Sequence, residues 1–225
     1  PARIVQKLPA ELDTAFATGS GISLGELNEQ RIEDLVLLGK IWGFLKYHHP
    51  KVASGDLNWD FELFRFLQRY PSGLKSQQRD ALFVSWIESL GELPDCPKCS
   101  EKIKGEIHLT ADLKWMNDSK LSAGLRKHLK AVYEHRNQGK HYYIDHLPFI
   151  SNPNFLHENP YPQLKYPDEG YRLLSVYRFW NIIQYYFPYR DVIGEDWTGV
   201  MRAFIPKMAK VKDALGYKLC ARELI

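Results

Sequence analysis

Tyr171–Ile205 reads YRLLSVYRFWNIIQYYFPYRDVIGEDWTGVMRAFI. Its apolar residues Leu173, Val176, Trp180, Ile183 and Phe187 recur by three and four, the spacing of one helical face. Pro188 stops that helix, because the residue before a proline is pushed out of the α region, and Asp196 opens another. The chain contains this unit twice. A shift of 138 positions lays Trp180 on Trp42, Tyr185 on Tyr47, Pro188 on Pro50 and Trp197 on Trp59 without a gap. The stripe Leu35, Leu38, Trp42, Leu45, His49 is the first copy of the face. Two helix–Pro–helix units, each carrying two tryptophans, therefore set the fold class as all-α.

The 225 residues are enough for one large or two small domains with a sizeable core. At 44% apolar and 25% charged the composition is that of an ordinary globular protein, with aromatics supplying much of the packing. A net charge of +3, from 30 basic and 27 acidic residues, is too balanced to imply nucleic acid or an anionic membrane as partner. Lys40 and Arg178 interrupt the two longest apolar runs, so no transmembrane segment is expected. The chain starts at Pro1 without a charged-then-apolar leader and stops at Arg222–Ile225 inside a helical pattern, so a piece of a larger protein is expected.

In chain order, residues 1–27 lack periodicity and read as a linker or extended lead-in, punctuated at Thr18–Gly21. Residues 28–225 read as one all-α domain: repeat one at 28–91, a connecting segment at 92–167, repeat two at 168–225. Asn28 opens the first long helix, which Pro50 ends; Asn58 caps a helix from Trp59 to about Tyr70; a third runs over about Gln77–Leu90 to Gly91. The connecting segment holds a short turn through Trp115, with Thr110 as its cap, and one further helix, opened by Ser119 or Ser122 and ending near Arg136. His141–His146 has extended character, and the prolines from Pro148 to Pro162 make a long loop, either functional or a covering strap. Asp168 caps the second long helix, the helix opened at Asp196 stops by Pro206, and after it a last helix begins near Asp213 with Tyr217, Leu219, Cys220, Leu224 and Ile225 as its apolar positions.

Chemistry-bearing groups are few. His48 and His49 align with Tyr186 and Phe187 of the other copy, positions that accept aromatic rings, which favours packing over metal or acid–base work. His141, His146 and His157 lack the HxH or HExxH spacing of a metal site. The pairs Asp56 with Asp60 and Glu195 with Asp196 sit at helix starts, where capping and the dipole explain them. Cys96 and Cys99 form one CxxC in a proline-marked loop; a surface pair without catalysis, a local disulfide and a metal half-site, with His108 or His128 near, all stand open. Cys220 reads as core. No cofactor or metal is expected. Tyr142, Tyr143, Tyr161 and Tyr166, with Tyr171 beside them, would line a groove for peptide or glycan, or else form the underside of a strap.

Ile41–Leu67, IWGFLKYHHPKVASGDLNWDFELFRFL, and Gly170–Met208, GYRLLSVYRFWNIIQYYFPYRDVIGEDWTGVMRAFIPKM, carry a resemblance. From roughly Asp13 to Ile225 the chain resembles the helical region of carboxyl-terminal-processing (tail-specific) serine peptidases, in the large exported Bacteroides-like form. The resemblance implies a PDZ-like module and a tricorn-like α/β catalytic core beyond Ile225, with a nucleophilic Ser and a Lys or His base. It places no catalytic residue in this chain. The implied role is a non-catalytic accessory domain that positions the core and guides a polypeptide substrate. An exported parent would also permit a disulfide. A free-standing peptide- or glycan-binding module using loop 141–167 is the alternative, and a zinc enzyme built on Cys96, Cys99 and a histidine is a third reading.

Overall fold

Both long helices form, each opened by the side chain the sequence offers for it. A computed structural model describes residues 7–101, 109–149, 152–194 and 196–225. In chain order its elements are α1 (Pro9–Leu12), α2 (Glu29–His48), α3 (Pro50–Ala53), α4 (Trp59–Gln68), α5 (Ser76–Ser89) and α6 (Ala123–Glu134). A hairpin of β1 (Ile144–His146) and β2 (Pro153–Phe155) follows, then α7 (Glu169–Tyr186), α8 (Trp197–Ala209) and α9 (Ala214–Leu224). The fold is predominantly α. The carboxylate or amide oxygens of Asn28, Asn58, Asp168, Asp196 and Asp213 each accept a first-turn amide and so satisfy a donor the helix itself leaves free. Among the described residues no helix is long and apolar enough to cross a membrane.

The tryptophans lock each helix pair in the same way twice. Trp42 Nε1–H donates to the Trp59 carbonyl (3.0 Å) while Trp59 Nε1–H donates to the Trp42 carbonyl (2.9 Å). Trp180 and Trp197 repeat the exchange at 2.5 and 3.2 Å. In the first copy both indoles are fully buried; in the second, Trp197 is half-exposed. Trp59→Phe removes a donor from a carbonyl that water cannot reach and should cost about 2 kcal/mol. Trp197→Phe should cost less, because the Trp197 indole is already half-exposed and its bond, at 3.2 Å, is the longer one. Urea unfolding of the two variants checks the order.

The two copies meet along α2 and α7. Residues 138 apart touch one another at three successive turns: Gly39 with Tyr177, Gly43 with Asn181, and Tyr47 with Tyr185. Equivalent residues can meet repeatedly only if the helices run parallel, with a pseudo-two-fold axis lying between them. The outer contacts obey the same axis. Phe64 packs on Tyr171, and at the related positions Arg202 pairs with Glu33. Close approach depends on glycine: a Cβ at Gly43 would lie 1.9 Å from Asn181 Oδ1, and one at Gly39 would lie 2.6 Å from the Tyr177 ring. Tyr177 and Asn181 then donate across the interface to the Leu35 and Gly39 carbonyls.

Three local features differ from the sequence reading. Pro206 does not end its helix; α8 runs through it to Ala209, because Phe204, Ile205 and Met208 are buried on both sides of the lost bond. Arg172 then ties the α8 end down, donating to the Met208 carbonyl at 2.8 Å and the Ala209 carbonyl at 3.1 Å. Residues after Pro148 are not all loop: Pro153–Phe155 pairs antiparallel with Ile144–His146, Pro153 taking the strand's first place, where a missing N–H is tolerated. Leu219 and Ile225 are exposed, and it is Cys220 and Leu224 that α9 buries.

The lead-in is laid against the helices. Ser20 donates its N–H and its hydroxyl to Asp168, both at 2.6 Å, and Leu24 N–H donates to Glu169 at 2.6 Å, so this segment caps the start of α7. Cys96 and Cys99 are joined in a disulfide, which settles the three readings that the spacing leaves open. The Arg136 guanidinium donates to the Cys99 carbonyl (3.3 Å) and fastens this loop to the end of α6.

Candidate binding cleft

Residues 141–149 and 152–167 form a strap across the start of α4. Tyr142 N–H donates to the Ala53 carbonyl (2.7 Å), and the Tyr143 hydroxyl donates to the Leu57 carbonyl (2.7 Å) while accepting from Trp59 N–H (2.9 Å). Between strap, lead-in and α4 lies a cleft of about 540 Å³. Tyr142, Tyr143 and Tyr161 all border it, as do Glu11 and Asp13 from the lead-in. Tyr142 stacks flat on His157, with centroids 3.8 Å apart, and forms one wall. Tyr166 lies elsewhere: its hydroxyl donates to the Val211 carbonyl (2.8 Å) and its ring covers Arg172. Tyr171 is core, its hydroxyl donating to the Phe16 carbonyl (2.6 Å).

Behind the cleft sits a group of charges that helix-start reasoning does not reveal. Asp60, on the first turn of α4, points inward to Arg178 of α7 and accepts the Tyr161 hydroxyl at 2.7 Å. Glu158 of the strap pairs with Arg178 (2.9 Å) and with Lys46, an ammonium wholly buried on α2. Lys46 also lies over the Trp42 and Tyr143 rings, 5.0 and 4.8 Å from their centroids. Burial pushes the Asp60 carboxyl up, but Arg178 and Lys46, with the Tyr161 hydrogen bond, outweigh it and hold the group below the usual carboxylate range. Two anions and two cations balance. The arrangement fastens the strap and leaves no free acid or base within it. Tyr161 keeps a left-handed backbone, φ 46°, that a bulky residue adopts only when held there.

The cleft surface is suited to recognition. Tyr142 is half-buried, and burial together with nearby Glu11 raises its hydroxyl to about 12, so it stays a neutral donor. Glu11, Asp13 and Asn159 add acceptors beside the rings. This is the mixture of flat apolar faces and few polar groups that peptides and glycans use.

His48, His49 and His141 serve packing. All three are lowered by burial to about 4 and are neutral near pH 7. His141 accepts Tyr143 N–H at Nδ1 (3.0 Å), so its Nε2–H faces the Lys46 carbonyl (3.1 Å). His146 is exposed at the end of β1. Asp56 pairs with Lys51 at 2.8 Å, and Asp196 caps α8. His108 and Glu195 lie outside the described residues. Among the described residues no three His, Cys, Asp or Glu side chains are grouped to hold a metal ion.

One sequence signal does point to the charge group: Lys46 and Arg178 each stand on a buried long helix between apolar neighbours, where a charge needs a partner. Glu158 carries no such signal, because only the path of the strap brings it there. No family model, curated protein or solved structure matches the chain.

Proposed function

We propose that this chain is a non-catalytic helical accessory domain of an exported serine peptidase, holding a catalytic core and a PDZ-like module of the same protein in position. The observation that carries the reading is what the doubled motif does. Each repeated residue, Trp42 with Trp180 and Tyr47 with Tyr185, is used to lock one copy to itself or to the other, which makes a rigid mount. A face for an adjoining domain is available on α9, where Leu215 and Leu219, one turn apart, are exposed opposite Cys220 and Leu224. The Cys96–Cys99 disulfide favours an oxidising compartment and so supports export.

In the full-length protein, Leu215→Glu with Leu219→Glu should lower peptidase activity while leaving the thermal midpoint of the isolated domain unchanged. A full-length protein without a Ser-bearing α/β domain beyond Ile225 would end this reading.

A second reading is favoured by the meeting of Tyr142, Tyr143 and Tyr161 in one cleft: the chain binds peptide or glycan there. Titration with peptide and oligosaccharide sets, read by tryptophan fluorescence, should then give a shift that Tyr142→Ala removes. No shift with any of them leaves the mount alone.

A further inference from the structure

The pseudo-two-fold axis provides an internal comparison between two flanks of the α2–α7 pair. Arg178 of α7 and Asp60 of α4 correspond, at a separation of 138 residues, to Lys40 of α2 and Thr198 of α8. On the first flank the cation is met by two carboxylates, Asp60 and Glu158, and the strap closes over them. On the second flank the cation remains and the carboxylate has become a threonine. Among the described residues Lys40 makes no ion pair; Arg202, Asp196, Glu33 and Asp112 act on it only from a distance.

The second flank is open. A cleft of about 450 Å³ is bordered by Lys40, Thr198, Ser76 and Trp115, with Arg79 and Arg202 in the same wall. Arg202 is taken up by Glu33, and Arg79 by Asp34 and Asp80 (3.2 and 2.8 Å). Among the described residues Lys40 and the exposed Lys120 are not, and the Trp115 Nε1–H is buried without an acceptor. A buried donor left unmade costs free energy that an arriving acceptor returns. Burial, then the charge of Arg202, lowers the Lys40 ammonium below its ordinary value, and the more distant Asp196, Glu33 and Asp112 do not offset them.

We propose that this open flank binds a carboxylate, which takes beside Lys40 the place that Asp60 holds beside Arg178 on the closed flank. One oxygen meets the Lys40 ammonium and the other is within the province of the Thr198 hydroxyl or the Trp115 N–H. A singly charged planar group suits the site better than a phosphate dianion, because it copies the Asp60 carboxylate of the closed flank, and because Arg79 and Arg202 are already neutralised while Asp118 stands beside Lys120 in the lining. The carboxylate comes from the C-terminus of a polypeptide or from a free organic acid. The proposal does not depend on the peptidase reading.

Calorimetric titration of the intact chain in carboxylate-free buffer tests it, with acetyl-trialanine, its C-terminal amide, acetate and inorganic phosphate as probes. The free-acid peptide should bind saturably with a dissociation constant of about 1 mM or below, and the amide should not bind. Acetate binding as tightly as the peptide assigns the site to free acids; a tighter peptide assigns it to chain ends. Lys40→Met should weaken binding at least about tenfold, the loss of one charge-assisted bond. Thr198→Asp supplies the missing carboxylate from within, so it should abolish binding while the thermal midpoint holds or rises. Equal binding of acid and amide, tighter binding of phosphate, no saturable binding at all, or unchanged binding in a folded Lys40→Met or Thr198→Asp chain would each overturn the proposal.

Discussion

Replacing Gly43 with alanine should destabilise the fold by about 3 kcal/mol, the upper end of what overpacking a core costs. The new methyl would sit 1.9 Å from Asn181 Oδ1 and 2.0 Å from its Cγ, far inside contact distance. Asn181 cannot turn aside cheaply. It is fully buried, and its amide donates to the Gly39 carbonyl (3.0 Å) and the Tyr177 carbonyl (2.8 Å). Moving it breaks both bonds; keeping it forces α2 and α7 apart. Gly39→Ala should cost less, since one of its near neighbours is the end of Met201, a flexible side chain. Gly124→Ala is the control: nothing lies within 4 Å of its Cβ, so it should be neutral or stabilise by up to about 1 kcal/mol. Urea unfolding of the three variants gives the order.

Asp60→Ala should cost about 3–5 kcal/mol, the usual result of removing one partner from a buried charged group. Arg178 and Lys46 would be left with Glu158 alone, and the Tyr161 hydroxyl would lose its acceptor. The same residue has a signature in acid. Its folded pKa lies below the unfolded value, so its contribution is whole above about pH 4 and is lost as pH falls through the folded value. The buried histidines act earlier. Lowered to about 4, they resist protonation that the unfolded chain accepts, so stability declines as pH falls from about 6.5 towards that value. Asp60→Asn should therefore keep the histidine decline and make the fall below about pH 4 shallower, leaving the part that Asp56 contributes. Unfolding free energies measured from pH 3 to 8 for both chains separate the two parts.

What the sequence discloses is what depends on near neighbours. Asn28, Asn58, Asp168, Asp196 and Asp213 cap the helices they precede, because a cap needs only its own next three residues. The doubled Trp–Tyr–Pro–Trp pattern announces two like units for the same reason. Their orientation is different. It rests on Gly39 and Gly43, whose role is the absence of a side chain and becomes visible only against Tyr177 and Asn181 on the other helix. The duplication did hold a clue, since those glycines align with that tyrosine and that asparagine.

The candidate cleft was half legible. Tyr142, Tyr143 and Tyr161 are brought together by a strap whose prolines mark it, while Tyr166, five residues beyond Tyr161, turns to Arg172 instead. The charges beneath were not, because Lys46, Asp60, Glu158 and Arg178 come from four separate elements. Pro206 misleads because a proline normally stops a helix, and here packing on both sides outweighs one lost hydrogen bond.

The central claim is that the two copies interlock residue against equivalent residue along a parallel helix pair. A double-mutant cycle on Gly43 and Asn181 measures it directly. Gly43→Ala alone introduces the clash, Asn181→Ala alone loses two hydrogen bonds, and the double variant has room for the new methyl. Urea unfolding should show the double variant more stable than the sum of the single losses by about 2 kcal/mol. Losses that simply add would mean that these two positions do not touch, and the interlocked pair would have to be abandoned.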